Sequence, residues 1–523
     1  MIRIREIAMP PEHNPQQLVF EAAKLLKLSP SKIKKLTISR RSVDARKKPD
    51  VKIVYTVDVW IEGSVQKVLR ASGCKRAAIA RETRYTIPKC TARQRPVVVG
   101  FGPAGMFAAL VLAMAGLKPL VLERGEDALS RHEKVEKFFA TGQLDTRSNV
   151  QFGEGGAGTF SDGKLNTGVN NPRIGWILQQ FVNAGAREDI LYDAKPHIGT
   201  DVLLQVVQNL RRRIIQLGGE VRFCTQVTDI RQENGKLTAL VTEQGEEIPC
   251  CQAIFAIGHS ARDTFSMLLN QNIPMEPKPF AMGVRIEHPQ SKIDEAQYGA
   301  ADLPLPPADY KLVRHLDNET VYTFCMCPGG YVVAAASEEG GIVTNGMSYA
   351  DRDGENANAA LLVTVNPAEF PYDGPLGGAA WQQEIETKAY QMSGSYRAPA
   401  QLVGDFLAGR PSKGEGSVKP TYRPGVFWCD LHDVLPEKIT GAISRALPML
   451  EQNLKGFSDP NAVMTGPETR SSSPVRILRD ETRQSALRGF YPAGEGAGYA
   501  GGIMSAAIDG MMSAEMVIEE LKK

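Results

Sequence analysis

Three closely spaced glycines and one glutamate have the types and the spacing needed to bind a nucleotide. Gly100, Gly102 and Gly105 follow the apolar run Val97–Val99, and Glu123 ends the next apolar run. Gly100 permits a sharp turn, Gly102 lets the backbone approach a pyrophosphate, and Gly105 lets the following helix lie close to the strand. The N-terminus of that helix attracts phosphate, and a carboxylate about 20 residues further on accepts hydrogen bonds from a ribose. The pattern predicts a dinucleotide site.

A second glycine-rich segment lies at residues 153–163, where five of the eleven residues are glycine. Such a run does not form a regular helix or strand, and it is typical of a loop that lies closely against another group. Next to a dinucleotide, we expect this loop to contact the cofactor through Gly156, Gly158 and Thr159. The alternative is a mobile surface lid.

Two later segments have the same character. Residues 220–230 are predicted as one strand, and the apolar run Cys250–Ile257 ends at Gly258. A glycine in that place suits a parallel strand whose backbone passes a ligand at the carboxyl edge of the sheet. The segment 489–503 is predicted as a short strand, a glycine loop and the start of a helix.

Two alternatives compete with the nucleotide site. The first is a glycine-rich turn without a ligand, which the regular order of strand, helix, strand and acidic residue argues against. The second is a membrane span, because Val97–Leu117 carries no charge and has nearly the required length. Three glycines and a proline near the start of that run favour a buried βαβ unit.

Five further side chains are candidates for the reaction itself. Cys325 and Cys327 lie two residues apart, on one face of a predicted strand. They are either a redox pair with a thiolate facing the cofactor or two small buried side chains, and we favour the second interpretation. Arg285 either binds a carboxylate or phosphate or forms an ion pair across its sheet. Arg470 is a candidate to face the substrate, and His197 is either a hydrogen-bonded polar residue or a neighbour of the cofactor.

The composition is that of an ordinary globular protein with more than one structural unit. The chain has 523 residues, of which 42% are hydrophobic and 23% are charged. Its eight cysteines form no CxxC pair and no zinc-binding spacing, which fits reduced thiols in a cytoplasm. The first residues lack the apolar core of a signal peptide. We therefore expect a cytoplasmic protein with no metal site and no membrane span.

Charge is distributed unevenly along the chain. Residues 1–95 contain 22 Lys and Arg against 8 Asp and Glu, whereas the whole chain has 61 against 59. A basic segment of this kind is compatible with a nucleic-acid partner or another acidic partner. We favour a solvated charged rim or a domain docked on the acidic remainder. The segment lacks the alternation of basic and aromatic residues that is typical of a base-stacking surface.

Changes of pattern along the chain predict four segments. Residues 1–94 are expected to form a small basic α+β domain, and residues 95–272 the first part of a Rossmann-type domain. Residues 273–465 contain short antiparallel strands and no second glycine fingerprint, and they are expected to form an inserted α+β substrate domain. Residues 466–523 are expected to complete the Rossmann-type domain. The predicted fold class is therefore α/β.

The glycine segments together resemble those of the glutathione-reductase-type FAD-binding flavoproteins, across most of residues 96–270 and 465–523. The resemblance implies that the first glycine turn holds the pyrophosphate of FAD and that Glu123 holds the adenosine ribose. It also implies that Val227 meets the adenine through its backbone.

At the C-terminus, the same resemblance assigns the ribityl chain to the pair Gly494-Glu495 and the flavin pyrimidine ring to the helix start at Gly502. Glu495 departs from the aspartate of that superfamily, because it keeps the carboxylate on a longer arm. The complete predicted cofactor site consists of Gly100, Gly102, Pro103, Ala104, Gly105, Glu123, Arg124, Gly156, Gly158, Thr159, Val227, Gly258, Gly494, Glu495, Gly501, Gly502 and Ile503.

A narrower resemblance covers nearly the whole chain. The basic N-terminal domain and five motifs are similar to those of a bacterial family of FAD-dependent dehydrogenase-like proteins. The motifs are GGAGTFSDGKL at 155–165, GVRIEHP at 283–289, FCMCPGG at 324–330, ETRSSSPVRI at 468–477 and YPAGEGAGYAGGI at 491–503.

The resemblance implies an FAD-dependent oxidoreductase that acts on a small-molecule substrate. With no second dinucleotide fingerprint, NAD(P)H would reach the flavin through the substrate cavity or would not be used. Two alternatives remain open at this point: an RNA-associated flavoprotein that uses the basic N-terminal domain, and a flavin-binding sensor without turnover.

Overall fold

The computed structural model of the chain describes residues 1–81, 85–168, 170–300 and 303–522. Its first six elements follow one another as strand, helix, strand, strand, helix and strand. They are β1 (Ile2–Met9), α1 (Gln17–Leu26), β2 (Ile33–Asp44), β3 (Lys52–Ile61), α2 (Val65–Ser72) and β4 (Ala77–Ile79). The four strands form an antiparallel sheet in the order β2-β3-β1-β4. Alternate apolar residues of β1 and β3, such as Ile4 and Val57, are buried with Leu18 and Leu26 of α1.

The next part of the chain builds a parallel sheet with helices beside it. Its elements are β5 (Val97–Val99), α3 (Pro103–Ala115), β6 (Leu120–Leu122), α4 (Ala128–Thr141), α5 (Arg173–Asn183), α6 (Thr200–Gln216), β7 (Glu220–Arg222), β8 (Val227–Glu233), β9 (Lys236–Thr242), β10 (Glu247–Pro249), β11 (Ala253–Phe255) and α7 (Arg262–Asn270). Strands β5, β6, β7 and β11 belong to the parallel sheet, while β10-β9-β8 form a separate antiparallel sheet.

Two glycines set the close packing of α3 on the parallel sheet. Gly100 has φ of +93°, a conformation that side chains disfavour, and a Cβ there would overlap the carbonyl oxygen of Ala256. A Cβ on Gly105 would overlap the carbonyl oxygen of Gly100, so the helix lies directly on the turn. Residues 104–113 are all buried, as expected for a helix enclosed by its own protein. Within the described ranges, no helix is long and apolar enough to cross a bilayer.

The following segment is dominated by a seven-stranded sheet. Its elements are β12 (Met275–Pro277), β13 (Phe280–Pro289), α8 (Gln290–Tyr298), β14 (Val313–His315), β15 (Thr320–Cys327), β16 (Gly330–Ala334), β17 (Thr344–Ser348), β18 (Asn356–Val365), α9 (Gly377–Ser393), β19 (Ala398–Leu402), α10 (Val403–Leu407), β20 (Val426–Trp428), α11 (Glu437–Glu451) and β21 (Val463–Glu468). The strand order is β14-β15-β18-β13-β21-β19-β20, and only β19 and β20 pair in parallel within it. Strands β16 and β17 form a separate hairpin.

The C-terminal segment returns to the parallel sheet. It contains β22 (Val475–Ile477), β23 (Phe490–Pro492) and α12 (Ile503–Leu521). Strand β23 pairs in parallel with β11, which completes the order β23-β11-β5-β6-β7. Helix α12 packs against α3, and a Cβ on Gly510 would overlap the carbonyl oxygen of Ala104. The α/β fold class with a parallel Rossmann-type sheet is confirmed.

Two strand predictions were wrong in detail. Residues 220–230 are not one strand, because β7 ends at Arg222 in the parallel sheet and β8 begins at Val227 in another sheet. Strand β15 is not regular at its end, because its pairing with β18 shifts between Phe324 and Cys327 and Cys325 has φ of +43°. The chain therefore bulges at the two cysteines instead of presenting both on one face.

Candidate functional site

A cavity of about 350 Å³ opens at the carboxyl ends of β5, β6 and β11. This is the edge of a parallel sheet where ligands bind in doubly wound folds. Most of the predicted cofactor residues line it, although they come from four distant parts of the chain. Those lining it are Gly100, Gly102, Pro103, Ala104, Glu123, Arg124, Gly156, Gly158, Val227, Gly258, Gly494, Glu495, Gly501, Gly502 and Ile503.

Gly105 and Thr159 do not line the cavity, contrary to expectation. Gly105 faces the strand turn beneath α3, where its lack of a Cβ serves packing. The hydroxyl of Thr159 donates to the carbonyl oxygen of Glu154 (3.4 Å), within the loop. Thr159 instead borders a separate void of about 20 Å³. The glycine-rich loop therefore turns Gly156 and Gly158 toward the cavity and Thr159 away from it.

We call the part of the cavity formed by Gly100–Ala104, Glu123, Gly156, Gly158 and Gly258 the glycine end. Its carboxylate is held by backbone amides alone: Glu123 is 4% exposed and accepts hydrogen bonds from the amides of Phe101 (2.7 Å), Gly125 (2.9 Å) and Gly153 (3.0 Å). The carboxylate thus ties the glycine-rich loop to the first turn. A carboxylate can accept about four hydrogen bonds, so it retains capacity for a ligand hydroxyl.

Two helix N-termini meet at the cavity without a side-chain cap. Gly102 is the N-cap of α3 and Gly502 is the N-cap of α12, and as glycines neither supplies a side-chain cap to the first amides of its helix. Both residues line the cavity. Uncapped helix N-termini present amide groups and a positive dipole end, which bind phosphate and other anionic groups.

The backbone around the cavity has the open space that a dinucleotide needs. A Cβ added at Gly258, Gly501 or Gly502 would meet no atom within 4 Å, although all three residues line the cavity. These glycines therefore border empty volume and serve no packing contact there. Together with the two helix N-termini and Glu123, this donor set fits the phosphates, ribose and ring of FAD.

A second part of the cavity lining, which we call the charged end, is formed by Asp162, Lys164, Cys325, Glu468 and Arg470. Buried ion pairs hold its side chains. Arg352 donates two hydrogen bonds to the carboxylate of Asp162 (3.0 and 2.5 Å). Bidentate pairs of this kind fix both position and orientation, so the charged end is rigid.

Arg285 belongs to that support and does not face a substrate. It is 0% exposed and donates to Glu468 (2.5 and 2.9 Å), to Asn358 (3.1 Å), to Asn345 (2.9 Å) and to the carbonyl oxygen of Cys325 (2.8 Å). These bonds use all five N–H groups of the guanidinium. The substrate-binding interpretation of Arg285 was wrong, and the alternative of an ion pair across the sheet holds.

Arg470 does line the cavity, but its positive charge is paired with a buried carboxylate. Its guanidinium pairs with Glu386 (2.9 and 2.6 Å), which also pairs with Arg262 (2.9 Å to each oxygen). Burial raises the pKa of Glu386, but the two arginines outweigh burial and hold that pKa at about 2. Arg470 donates further to the hydroxyl of Ser337 (2.6 Å).

Sequence reasoning missed His259, which lines the cavity directly after Gly258. Burial and the charges of Arg470 and Arg262 lower the pKa of His259 to about 3, so the ring is neutral at neutral pH. Its Nδ1 lies 3.1 Å from the hydroxyl of Ser260. The available signal was its place after the strand-ending glycine, at the ligand edge of the sheet.

Cys325 lines the cavity, whereas Cys327 is fully buried behind it. The Cys327 thiol donates to the Cys325 carbonyl oxygen (3.2 Å). A hydrogen bond between the two thiols, with the charges of Arg285 and Lys164, lowers the pKa of Cys325 to about 5, and the same bond raises the pKa of Cys327. The left-handed backbone at Cys325 is strained, a feature that concentrates at functional sites.

His197 lies outside the cavity lining. Its Nε2 hydrogen-bonds the carbonyl oxygen of Ala350 (2.9 Å), and burial lowers its pKa. Of its two interpretations, the structure supports a satisfied polar residue.

Glu495 also lines the cavity. Its carboxylate accepts a hydrogen bond from the amide of Gly502 at the start of α12, and burial raises its pKa to about 7. Other lining residues without a sequence signal are Gln151, Phe152, Ser161, Asn166, Thr225, Gln226, Thr264, Phe324, Asn345 and Ser471.

Comparisons with known proteins give matches to two family models and distant likenesses to solved structures. A family model described as "FAD-dependent protein, C-terminal domain-like" matches residues 279–471, and a domain of unknown function matches residues 1–60. Among solved structures, an Escherichia coli quinol fumarate reductase is 12% identical with a TM-score of 0.38, covering 83% of this chain and 71% of that one. A glycine oxidase from Bacillus cereus is 12% identical with a TM-score of 0.33, covering 82% and 96%. At this distance neither structure bears on the reaction.

A much nearer relative is an uncharacterized protein of Clostridium beijerinckii. It is 46% identical over 529 residues, which cover 99% of each chain. The chain belongs to the same family as that protein, and its residues 279–471 match the model of the C-terminal domain of FAD-dependent proteins.

Proposed function

We propose that this protein is an oxidoreductase that uses bound FAD to exchange a hydride or electrons with a small-molecule substrate. The observation that carries the proposal is the continuity of the cavity, which joins the glycine end to a charged end containing a thiol. A nucleotide held at the first end would extend toward the second, where reactive side chains are fixed by buried ion pairs.

In this proposal the glycine end holds the nucleotide half of FAD. The amides at the start of α3 would bind the pyrophosphate, Glu123 would accept from the adenosine ribose, and Val227 would border the adenine. Arg124 supports that end from the side, because its guanidinium stacks on Phe152 (4.4 Å) and donates to Thr264 (2.7 Å). The loop residues Gly156 and Gly158 would close over the phosphates.

The flavin half would lie toward Glu495 and α12. FAD supplies the hydride or electron chemistry when bound, and the chain orients the ring and tunes its surroundings. The N-terminus of α12 would stabilise negative charge at the adjacent edge of the ring. Burial raises the pKa of Glu495 to about 7. Its carboxylate would therefore hold a proton or accept a hydrogen bond from a ribityl hydroxyl.

The charged end would receive the substrate. Cys325 presents there a thiol whose pKa is lowered to about 5, and Lys164 contributes a cation whose nearest carboxylate, Asp162, is 3.9 Å away and already paired with Arg352. The segment 273–465 supplies Cys325 and Arg285, which donates to the Cys325 carbonyl oxygen, so we propose it as the substrate domain between the two parts of the FAD-binding domain, 95–272 and 466–523. An NAD(P)H donor would enter this same end.

The test begins with the absorbance spectrum of the purified full-length protein after reconstitution with FAD. We expect flavin bands that remain after gel filtration and that bleach under anaerobic NADH, NADPH or a substrate screen. A Gly102→Val variant should lose FAD, whereas Gly414→Val, in a loop with no atom within 4 Å of the added Cβ, should retain it.

The outcomes separate the alternatives. A folded protein that retains no FAD would overturn the proposal as a whole. Retained FAD that no donor or substrate reduces would instead favour a sensor without turnover.

A further inference from the structure

The four-stranded sheet of residues 1–81 has one face covered by helices and one face open. Helices α1 and α2 pack on the rows that contain Ile4, Val57 and Val59, which form the core of this unit. In an antiparallel sheet the intervening residues point to the opposite side. The strand order β2-β3-β1-β4 with two helices on one side is the split βαβ arrangement.

The open face carries cations beside an aromatic ring. Lys35 lies opposite Trp60 in the strand register, with its Nζ 5.2 Å from the ring centroid. The next pair along this face is Thr37 opposite Asp58. The pair after that is Arg40 opposite Thr56. Lys35 and Arg40 are exposed and Trp60 is half-buried.

The acidic residues of this face already have other partners. Asp44, which lies opposite Lys52, accepts hydrogen bonds from Arg46 (2.8 and 2.6 Å). Asp58 is bound by Arg3 from the neighbouring strand (2.8 and 2.7 Å). Lys35 and Arg40 therefore remain available to an outside partner. Residues 1–95 contain 22 Lys and Arg against 8 Asp and Glu, so the partner that complements this unit is a polyanion.

The rest of the protein attaches to the other side of the unit. Arg41 lies opposite Tyr55, in the helix-covered row, and forms a bidentate ion pair with Asp193 (2.6 and 2.7 Å). The tip of the β2–β3 hairpin also reaches the body, where Lys48 donates to the carbonyl oxygen of Ala296 (2.5 Å). Both attachments leave the face of Lys35 and Trp60 toward solvent.

We propose that this open face binds single-stranded RNA. Trp60 is a platform on which a base stacks, and Lys35 and Arg40 bind the flanking phosphates. The hydroxyls of Thr37 and Thr56 lie on the same face and can bond the 2′-hydroxyl, the group that distinguishes RNA from DNA. The alternation of basic and aromatic residues is absent along the sequence because Lys35 and Trp60 lie on different strands.

The proposal is independent of the flavin chemistry and is tested by binding. Full-length protein is titrated into fluorescein-labelled oligouridylate of about 12 nucleotides, and anisotropy is recorded across a salt series. We expect binding that weakens steeply with salt, accompanied by quenching of tryptophan fluorescence. Trp60→Ala should weaken binding by about fivefold or more, and Trp60→Phe should retain most of it.

A charge-matched control separates this face from general attraction. The double variant K35Q/R40Q should lower the slope of log affinity against log salt by about 1.4. The double variant K67Q/R70Q removes the same charge from two exposed residues of α2, on the opposite side, and should leave the slope unchanged.

Three outcomes would overturn the proposal: no retention of oligouridylate at low salt, equal loss in the two double variants, or equal affinity for the matching oligodeoxyuridylate. None of these outcomes depends on FAD, and failure of flavin reduction would leave the RNA result standing. Circular dichroism of each variant checks that the unit remains folded.

Discussion

The two ends of the cavity are built by different means. The glycine end is made of backbone: the N-terminus of α3, Gly258 bordering open space, and Glu123 held by three amides. The charged end is made of side chains that distant strands and helices hold in place, such as Arg285 with Glu468 and Arg470 with Glu386. One end depends on the absence of side chains, and the other depends on pairs of buried charges.

This difference predicts how each end fails. A buried charge that loses its partner remains uncompensated in a medium of low dielectric constant, so the cost appears in folding. A glycine that gains a methyl group is destabilised where the new atom meets neighbouring backbone or where its φ is positive. The charged end should therefore be fragile toward deletion of charge, and the glycine end should be fragile toward addition of volume.

The largest effect is expected from Glu386→Gln. This substitution leaves Arg262 and Arg470 without their shared carboxylate and should lower the free energy of unfolding by about 3–5 kcal/mol in urea titrations at pH 7.5. The folded-state pKa of Glu386 is about 2 and its ordinary value is 4.5, so its contribution is complete above about pH 4.5 and is lost as the pH falls toward 2. The gap between the two proteins should close over that range.

Glu62→Gln is the control for the buried network, because Glu62 pairs with Lys34 at 3.8 Å on the surface and both side chains are well exposed. It should change stability by less than about 1 kcal/mol. If both variants lost the same free energy of unfolding, the buried ion pairs would stabilise the protein no more than an exposed pair does.

The second prediction concerns added volume at two glycines near the cavity, one packed beneath the first turn and one bordering open space. Gly105→Ala places a methyl group on the carbonyl oxygen of Gly100 and should cost about 1–3 kcal/mol or more in the same titrations. Gly501→Ala adds the same group where no atom lies within 4 Å, and its stability should stay close to that of the parent. If both variants were equally stable, the close packing of α3 on the first turn would not be required.

The same difference explains what the sequence could predict. Backbone features are local: the spacing of Gly100, Gly102 and Gly105 specifies a turn and a helix start, and the parallel fold class followed from it. The charged end joins residues from far apart, such as Arg285 and Glu468, and no local pattern specifies which carboxylate an arginine will meet. The bulge at Cys325 was missed for a related reason, because strand alternation assumes regular pairing and β18 imposes a shift.

The third prediction concerns the thiol at the charged end. At pH 6 a cysteine with a pKa of about 5 is about nine-tenths thiolate, whereas burial raises the pKa of Cys224 above its ordinary value and keeps that thiol protonated. The lower intrinsic nucleophilicity of a low-pKa thiolate offsets only part of this difference, so Cys325 should react with iodoacetamide faster than Cys224. Peptide mass spectrometry across pH measures both rates.

Cys327→Ala should move the inflection of the Cys325 rate to higher pH, because it removes the thiol that hydrogen-bonds the thiolate, while Cys327→Ser should largely preserve it. If Cys325 reacted only near pH 9, its pKa would be that of an ordinary thiol and the charged end would hold no thiolate at neutral pH.

The smallest effect is expected at Thr159, which lies in the glycine-rich loop but outside the cavity. Thr159→Val removes one long hydrogen bond to Glu154 and should cost about 1 kcal/mol or less in stability. Its affinity for FAD, measured by flavin fluorescence quenching, should match that of the parent, whereas the methyl group of Gly501→Ala enters the cavity and should weaken binding. A loss of FAD in Thr159→Val would instead mean that the whole loop, and not only its exposed glycine backbone, shapes the nucleotide site.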